Sequence, residues 1–231
     1  MLQFQNHSGT CYEPPVPQYL HPPLMEAIYE VFVQDAPNWS VNSARELERK
    51  VSQSFGGERE EVKSVNLDIH LGPSGKPSTT VAPDAPRIRL WKQDKSSLAQ
   101  FSSQMAALNV LPAAYTKYED QEPQLSSFFA AYLDASQPTE LAWLGQRYIN
   151  KVVLPIGALD AGDYFEFYPK FPPAVHHRTF ALQVVLDSFS GGEVVLNLMY
   201  MGIQEEQPVY FLDISARSTS KVAATIDAVA N

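Results

Sequence analysis

Apolar and polar positions alternate or recur at helical spacing along most of the chain, and the two periods divide it into elements. From Glu26 to Val33, Ala27, Tyr29, Val31 and Val33 alternate with Glu26, Ile28, Glu30 and Phe32, which predicts a strand with one apolar and one mixed face. Ser43 or Asn42 can cap a helix running to about Phe55, with Glu46 in its first turn, Leu47 and Val51 four residues apart, and Gly56-Gly57 as its stop. Val65, Leu67, Ile69 and Leu71 alternate with Asn66, Asp68 and His70, the pattern of a half-buried strand. Between Gly72 and Pro86, four prolines among small polar residues predict an exposed, mobile connection. Ile88 to Lys92 and Leu98 to Leu108 read as a hairpin joined at Gln93 to Ser97, the Ala- and Ser-rich second member admitting some helix.

Further along, Leu125, Phe128, Phe129, Tyr132 and Leu133 fall at i, i+3, i+4, i+7 and i+8, a helical stripe that Pro138 ends. Leu141 to Leu154 is a strand. Pro155 to Pro173 is a connection carrying Leu159, Tyr164, Phe165 and Phe167, with one helical turn that plugs the core. Thr179 to Ser188 turns at Ser190-Gly191-Gly192 into Glu193 to Met201, and Val209 to Ile214 adds a third strand. Ser218 or Ser220 can cap a last helix carrying Val222, Ile226 and Val229; with neither a charged last turn nor a glycine stop, it is expected to run on past Asn231.

Runs of strands bounded by a few helices predict an α+β fold, a mostly antiparallel sheet packed against helices on one face. Residues 1–23, with Pro14, Pro15, Pro17, Pro22 and Pro23, form a proline-rich tail. Residues 24–231 then make one α+β domain. Within it, 24–154 and 174–231, joined by 155–173, each end a strand run with a helix, the pattern of two related halves.

Composition narrows the function classes. Apolar residues are 45 % of the 231 and aromatics 11 %, enough for a sizeable core. Seventeen Lys and Arg against 26 Asp and Glu give a formal charge of -9, which disfavours nucleic acid, since phosphate binding draws on a basic face. The densest basic stretch, Arg87, Arg89, Lys92 and Lys95, is interleaved with Asp84 and Asp94 and reads as a solvated strand edge. A lone Cys11 cannot close an internal disulfide, and polar Gln3, Gln5, Asn6 and His7 stand where a signal peptide needs an apolar run. No window approaches 18 uninterrupted apolar residues, so a cytoplasmic protein without membrane contact is expected.

Arg147 is the first candidate for chemistry. An Arg in an apolar strand needs a partner, and Glu26 and Glu30 are the expected ones, either in a structural ion pair or in a cluster open to a ligand. Tyr115 and Tyr118, with Glu119 beside them, are the expected surface members of an aromatic set around Phe128, Phe129 and Tyr132; such tyrosines suit a protein interface, and the acidic surface suits a basic partner. Tyr164 and Phe167, in the segment from Tyr164 to Phe171, could instead line an apolar small-molecule cavity between sheet and helix. His176 and His177 are adjacent and point to opposite faces if extended, Asp68 and His70 lack a third ligand, and Asp160 and Asp163 read as turn chemistry around Gly162, so no metal, cofactor or catalytic residue is assigned. Exposed strand edges would permit a homo-oligomer by sheet extension, opposed wherever proline or charge lies on the edge.

Several strings add a resemblance. Tyr19-Leu20-His21-Pro22-Pro23-Leu24-Met25-Glu26 followed by Tyr29-Glu30-Val31-Phe32, then Pro86-Arg87 to Trp91, Tyr115-Thr116-Lys117-Tyr118-Glu119, Leu144-Gly145-Gln146-Arg147-Tyr148-Ile149-Asn150 and Phe211-Leu212-Asp213-Ile214, resemble in order and spacing a sporadically distributed bacterial family of uncharacterised proteins. The resemblance covers nearly the whole chain and departs at its end, where the family continues the last helix with apolar and acidic residues. It brings no catalytic residues. It implies a setting among bacterial defence or toxin–antitoxin genes, and with the missing catalytic constellation it favours a non-enzymatic protein-binding module, an immunity, antitoxin or phage-defence accessory, over a small-molecule-binding module.

Overall fold

The alternating strands assemble edge to edge. The computed structural model describes residues 23–63, 65–71, 77–83, 86–157, 161–170, 179–187, 192–218 and 222–223. In chain order they form β1 (Leu24–Val33), α1 (Val41–Val51), β2 (Arg59–Val62), β3 (Val65–Leu71), β4 (Pro77–Pro83), β5 (Arg87–Trp91), β6 (Ser97–Phe101), β7 (Met105–Val110), α2 (Tyr118–Ser136) and β8 (Glu140–Val153). A 3-10 turn at Ala161–Asp163, β9 (Ala181–Asp187), β10 (Gly192–Gln204), β11 (Gln207–Ser218) and β12 (Val222–Ala223) follow. The main sheet has the order β2-β5-β6-β7-β1-β8-β11-β10-β9, with β12 added to β8 beyond the end of β11, and β3 and β4 form a separate pair. Every pairing is antiparallel. The expected α+β architecture with a mostly antiparallel sheet is therefore present.

Connectivity repeats about the β1–β8 seam. On the amino-terminal side, β1 is followed by a long connection and the meander β5-β6-β7, whose last strand returns beside β1; on the other side β8 is followed by a connection and the meander β9-β10-β11, whose last strand returns beside β8.

Strand register separates the two faces. Ala27, Tyr29, Val31 and Val33 share a face with Val110, Leu108, Ala106, Phe101 and Leu90, and all are buried under α1 and α2 with Leu47, Val51, Phe128, Phe129 and Tyr132. α1 starts on Ser40, whose Oγ accepts from Ser43 N–H at 3.1 Å while Ser43 Oγ accepts from Ser40 N–H at 2.8 Å, so the expected cap Ser43 is the reciprocal member of a capping box. α2 stops at Gln137, which takes the left-handed conformation and donates to Leu133 O at 2.8 Å just before Pro138. On the other side of the seam the same sheet face carries a smaller cluster, Leu198 and Tyr210 under Leu154, Ala161, Phe165 and Tyr168, so the turn after Pro155 does plug a core.

Several expectations are corrected. The predicted loop from Gly72 to Pro86 contains β4: its prolines stand at the strand ends, opposite Leu71 and Val65, and leave β-favouring Thr79, Thr80 and Val81 between them. Leu98 to Leu108 is two strands, β6 and β7, divided at Ser102 to Gln104, with Ser102 N–H donating to Met105 O at 2.8 Å. β2 escapes the pattern because it is four mostly charged residues on a sheet edge. At the end of the chain Ser218 closes β11, and Val222, expected in a last helix, pairs with Leu141 of β8 as Ala223 does with Glu140; residues 219–221 and 224–231 lie outside the described residues, as does the tail to Pro22.

Candidate functional site

The seam between β1 and β8 collects four of the six predicted site residues, on opposite faces. Opposite the helices, register sets Glu30 against Gly145, Ile28 against Arg147 and Glu26 against Ile149. Arg147 finds neither glutamate: its Nε and Nη2 each donate to Asp213 of β11 at 2.8 Å, a bidentate pair that holds the guanidinium. That corrects the expected pairing. β11 runs alongside β8 on the other flank, where Asp213 is the diagonal neighbour of Arg147 and interrupts the apolar string Phe211-Leu212-Asp213-Ile214, the signal that could have identified it. Asn197 also donates to Asp213, at 3.3 Å, and Gln183 donates to Asn197 at 2.8 Å, so a polar chain reaches from β8 to β9.

A second chain runs the other way. Asn109 donates to Glu26 at 2.7 Å, Gln100 to Asn109 at 2.7 Å, and Arg89 both to Gln100 at 2.9 Å and to Glu60 at 3.5 Å, where Trp91 Nε1 also donates at 3.0 Å, spanning β1 to β2. Glu30 stands between the two chains, and its carboxyl makes no hydrogen bond among the described residues. Burial pushes its carboxyl above the usual range, Arg147 and Arg87 pull it down less strongly, and Asp213 adds to the rise. The same environment raises Arg147, first through the Asp213 hydrogen bond. Opposite Glu30, Gly145 is required by packing: a Cβ there would lie 2.7 Å from the Trp143 ring, which folds across to stack on Phe32 with centroids 4.0 Å apart.

On the helix face, the loop and first turn before and within α2 set Tyr115 and Tyr118 over Tyr29 and Tyr148. Ring centroids of Tyr29 and Tyr118 are 5.9 Å apart and those of Tyr115 and Tyr148 6.1 Å apart in an edge-to-face pair. The Tyr29 hydroxyl is buried without a hydrogen-bond partner among the described residues. Its pKa is pushed up, first by burial and then by Tyr148 and Tyr115; Tyr115 is pushed up to about 12, again mainly by burial. Tyr29 and Tyr115 therefore stay neutral and act as apolar bodies with polar tips. Tyr115, Tyr118 and Tyr148 are half-buried, and Glu119, Asp120 and Glu122 are exposed along the first turns of α2 beside them.

Neither a family model nor a curated protein matches this chain.

Tyr164 and Phe167 lie elsewhere. Tyr164 is exposed on the plug, and Phe167 packs against the smaller core with its ring 6.0 Å from that of Phe165, so neither is at the seam. Phe171, His176, His177 and Cys11 lie outside the described residues, as do the side chains of Asp68 and His70. Among the described residues, no three His, Cys, Asp or Glu side chains converge on one metal position, and no helix is long and apolar enough to cross a membrane.

Sequence reading missed a cleft of about 710 Å³ between α1 and α2, floored by Phe55 and Phe128 and flanked by Lys92 and Gln124. Lys92 Nζ donates to Gln124 at 3.0 Å and stands 5.8 Å from the Phe55 ring centroid. No local motif marks it, because its walls come from residues some seventy positions apart.

Proposed function

We propose that this protein is a cytoplasmic, non-enzymatic protein-binding module, and that the tyrosine patch at the seam is its binding surface. The observation that carries this reading is the juxtaposition of half-buried Tyr115, Tyr118 and Tyr148 with the exposed carboxylates Glu119, Asp120 and Glu122. Rigid tyrosines bury large area at small conformational cost, and an acidic rim steers a basic partner. The resemblance to the bacterial family supports an immunity, antitoxin or phage-defence accessory role. The repeated connectivity about the seam supports a companion reading of two related units, with β8 opening the second unit and not closing the first as the expected halves 24–154 and 174–231 had it.

The test is affinity purification of the full chain from its host, with the stoichiometry of retained proteins measured by mass spectrometry. A stoichiometric basic protein that is lost with Glu119→Lys/Asp120→Lys and with Tyr118→Ala, both folded, is the expected result. Retention of the same protein by both variants overturns the assignment of the patch. A second reading rests on the α1–α2 cleft, whose aromatic floor and Lys92 suit a small amphipathic anion. Thermal stabilisation by such a metabolite, abolished in Phe55→Ala, would favour it over the protein-binding reading.

A further inference from the structure

The two edges of the main sheet are built differently. β2 is four residues long, Arg59, Glu60, Glu61 and Val62, and its Arg59 is tied to Glu48 at 2.7 Å and Glu61 at 3.7 Å, an edge blunted by shortness and charge. β9 at the other edge pairs with β10 through all of Ala181–Asp187 and pairs with no strand on its outer side among the described residues. It has no proline and a single charge, at its last residue, and Val185 and Leu186 are 54 % and 47 % exposed on opposite faces. An edge of seven mostly apolar residues that no described strand covers is a template for another strand.

We propose that β9 pairs antiparallel with β9 of a second copy of this chain, about a two-fold axis through Val184, so that one sheet runs through both molecules. The self-complementarity of the strand points to a second copy. Side-by-side antiparallel strands related by a two-fold axis perpendicular to the sheet keep their faces, so residues of like face oppose each other. Centred on Val184, all seven residues pair: Leu182 opposes Leu186, Gln183 opposes Val185, Val184 opposes itself, and Asp187 opposes Ala181. No like charges meet, and the helix-face row Leu182, Val184 and Leu186 is apolar in both copies. Centring on a later residue shortens the ladder and moves Asp187 toward its own counterpart. The inference uses an edge remote from Tyr118 and Glu119 and goes beyond the protein-binding reading, on which it does not rest.

The test uses the full chain in sedimentation and native mass spectrometry over a concentration series. Leu182 and Leu186 are four residues apart on one strand and cannot touch within a monomer, yet the proposed register brings them together twice in the dimer. Leu182→Lys/Leu186→Lys then opposes like charges at both contacts, whereas Leu182→Glu/Leu186→Lys opposes unlike ones. The expected result is a wild-type dimer, a Lys/Lys variant at least about tenfold weaker in self-association than the Glu/Lys variant, and matching thermal unfolding of the two variants as monomers. Glu119→Lys leaves the dimer intact, which separates this edge from the tyrosine patch. A wild-type chain that is monomeric throughout, or a dimer equally weakened in both variants, overturns the proposal.

Discussion

On the amino-terminal side of the β1–β8 seam, five strands lie under two helices, and the side chains between them are buried nearly without remainder: Phe101, Leu108, Leu47 and Tyr132 are all fully enclosed. On the carboxy-terminal side, four strands of comparable or greater length are covered among the described residues by the loop carrying Phe165 and Tyr168, and on that same face Leu186 of β9 stays 47 % exposed. The same connectivity thus supports two depths of core. Strand pairing alone does not bury apolar area; a second layer must do it, and where that layer is thin the strands keep surface available for other molecules.

The sharpest way to break this comparison is to truncate one aromatic on each side. Phe101→Ala is expected to cost about 3–5 kcal/mol and lower the midpoint of the whole transition. Phe165→Ala should fall at or below the bottom of that range, because a surface loop can collapse into the space, and its effect should be confined to amide exchange in β10 and β11. Equal global losses in denaturant unfolding would show one core where two are described. Next in size is the seam pair: a double-mutant cycle on Arg147→Ala and Asp213→Ala should give a coupling of about 1–2 kcal/mol, reduced from a fully buried bidentate pair because the Arg147 side chain is 42 % exposed. The more peripheral Arg217–Glu193 pair, 2.6 Å apart, should couple by about 0.2–1 kcal/mol in the same assay.

The smallest effect is expected at Glu30. Its carboxyl is raised in the folded protein, so the native state holds that proton more tightly than the unfolded chain, and stability is lost as pH rises from the ordinary glutamate range through the raised value. Glu30→Gln should therefore raise the melting temperature slightly at neutral pH and lose that advantage in acid. A constant difference between the two proteins across pH would show that Glu30 acts through shape and not through charge.

Legibility in the sequence followed burial. β1 and α2 were readable because each buries one face, which stamps a period of two or of 3.6 on its residues, and Phe128, Phe129 and Tyr132 are buried as that stripe predicts. β6 and β7 were not, because every residue from Ser97 to Phe101 and from Met105 to Val110 is buried and alternation vanishes. β4 was hidden by prolines that mark its ends. At the seam, the need of Arg147 for a carboxylate was legible, but its choice of Asp213 depended on which strand flanks β8 on its far side, and order in a sheet is a matter of topology that local pattern does not encode. The acidic tyrosine patch was legible in composition and its cleft neighbour between the helices was not.

The three tryptophans are placed unevenly with respect to the seam. Trp39 lies against Tyr132 in the helix layer at 6.0 Å, Trp91 sits under Lys95 near the β2 edge, and Trp143 is stacked on Phe32 at the seam, whereas β9, β10 and β11 contain no tryptophan, and β10 and β11 carry Tyr200 and Tyr210. Intrinsic fluorescence excited selectively at tryptophan will therefore follow the helix-covered side and the seam, and will be blind to fraying of the outer meander. Tyrosine emission adds Tyr200 and Tyr210 of the meander but shares them with Tyr29, Tyr115, Tyr118, Tyr132 and Tyr148, so a tryptophan trace that stays flat while the tyrosine signal changes is the mark of an event on the outer side.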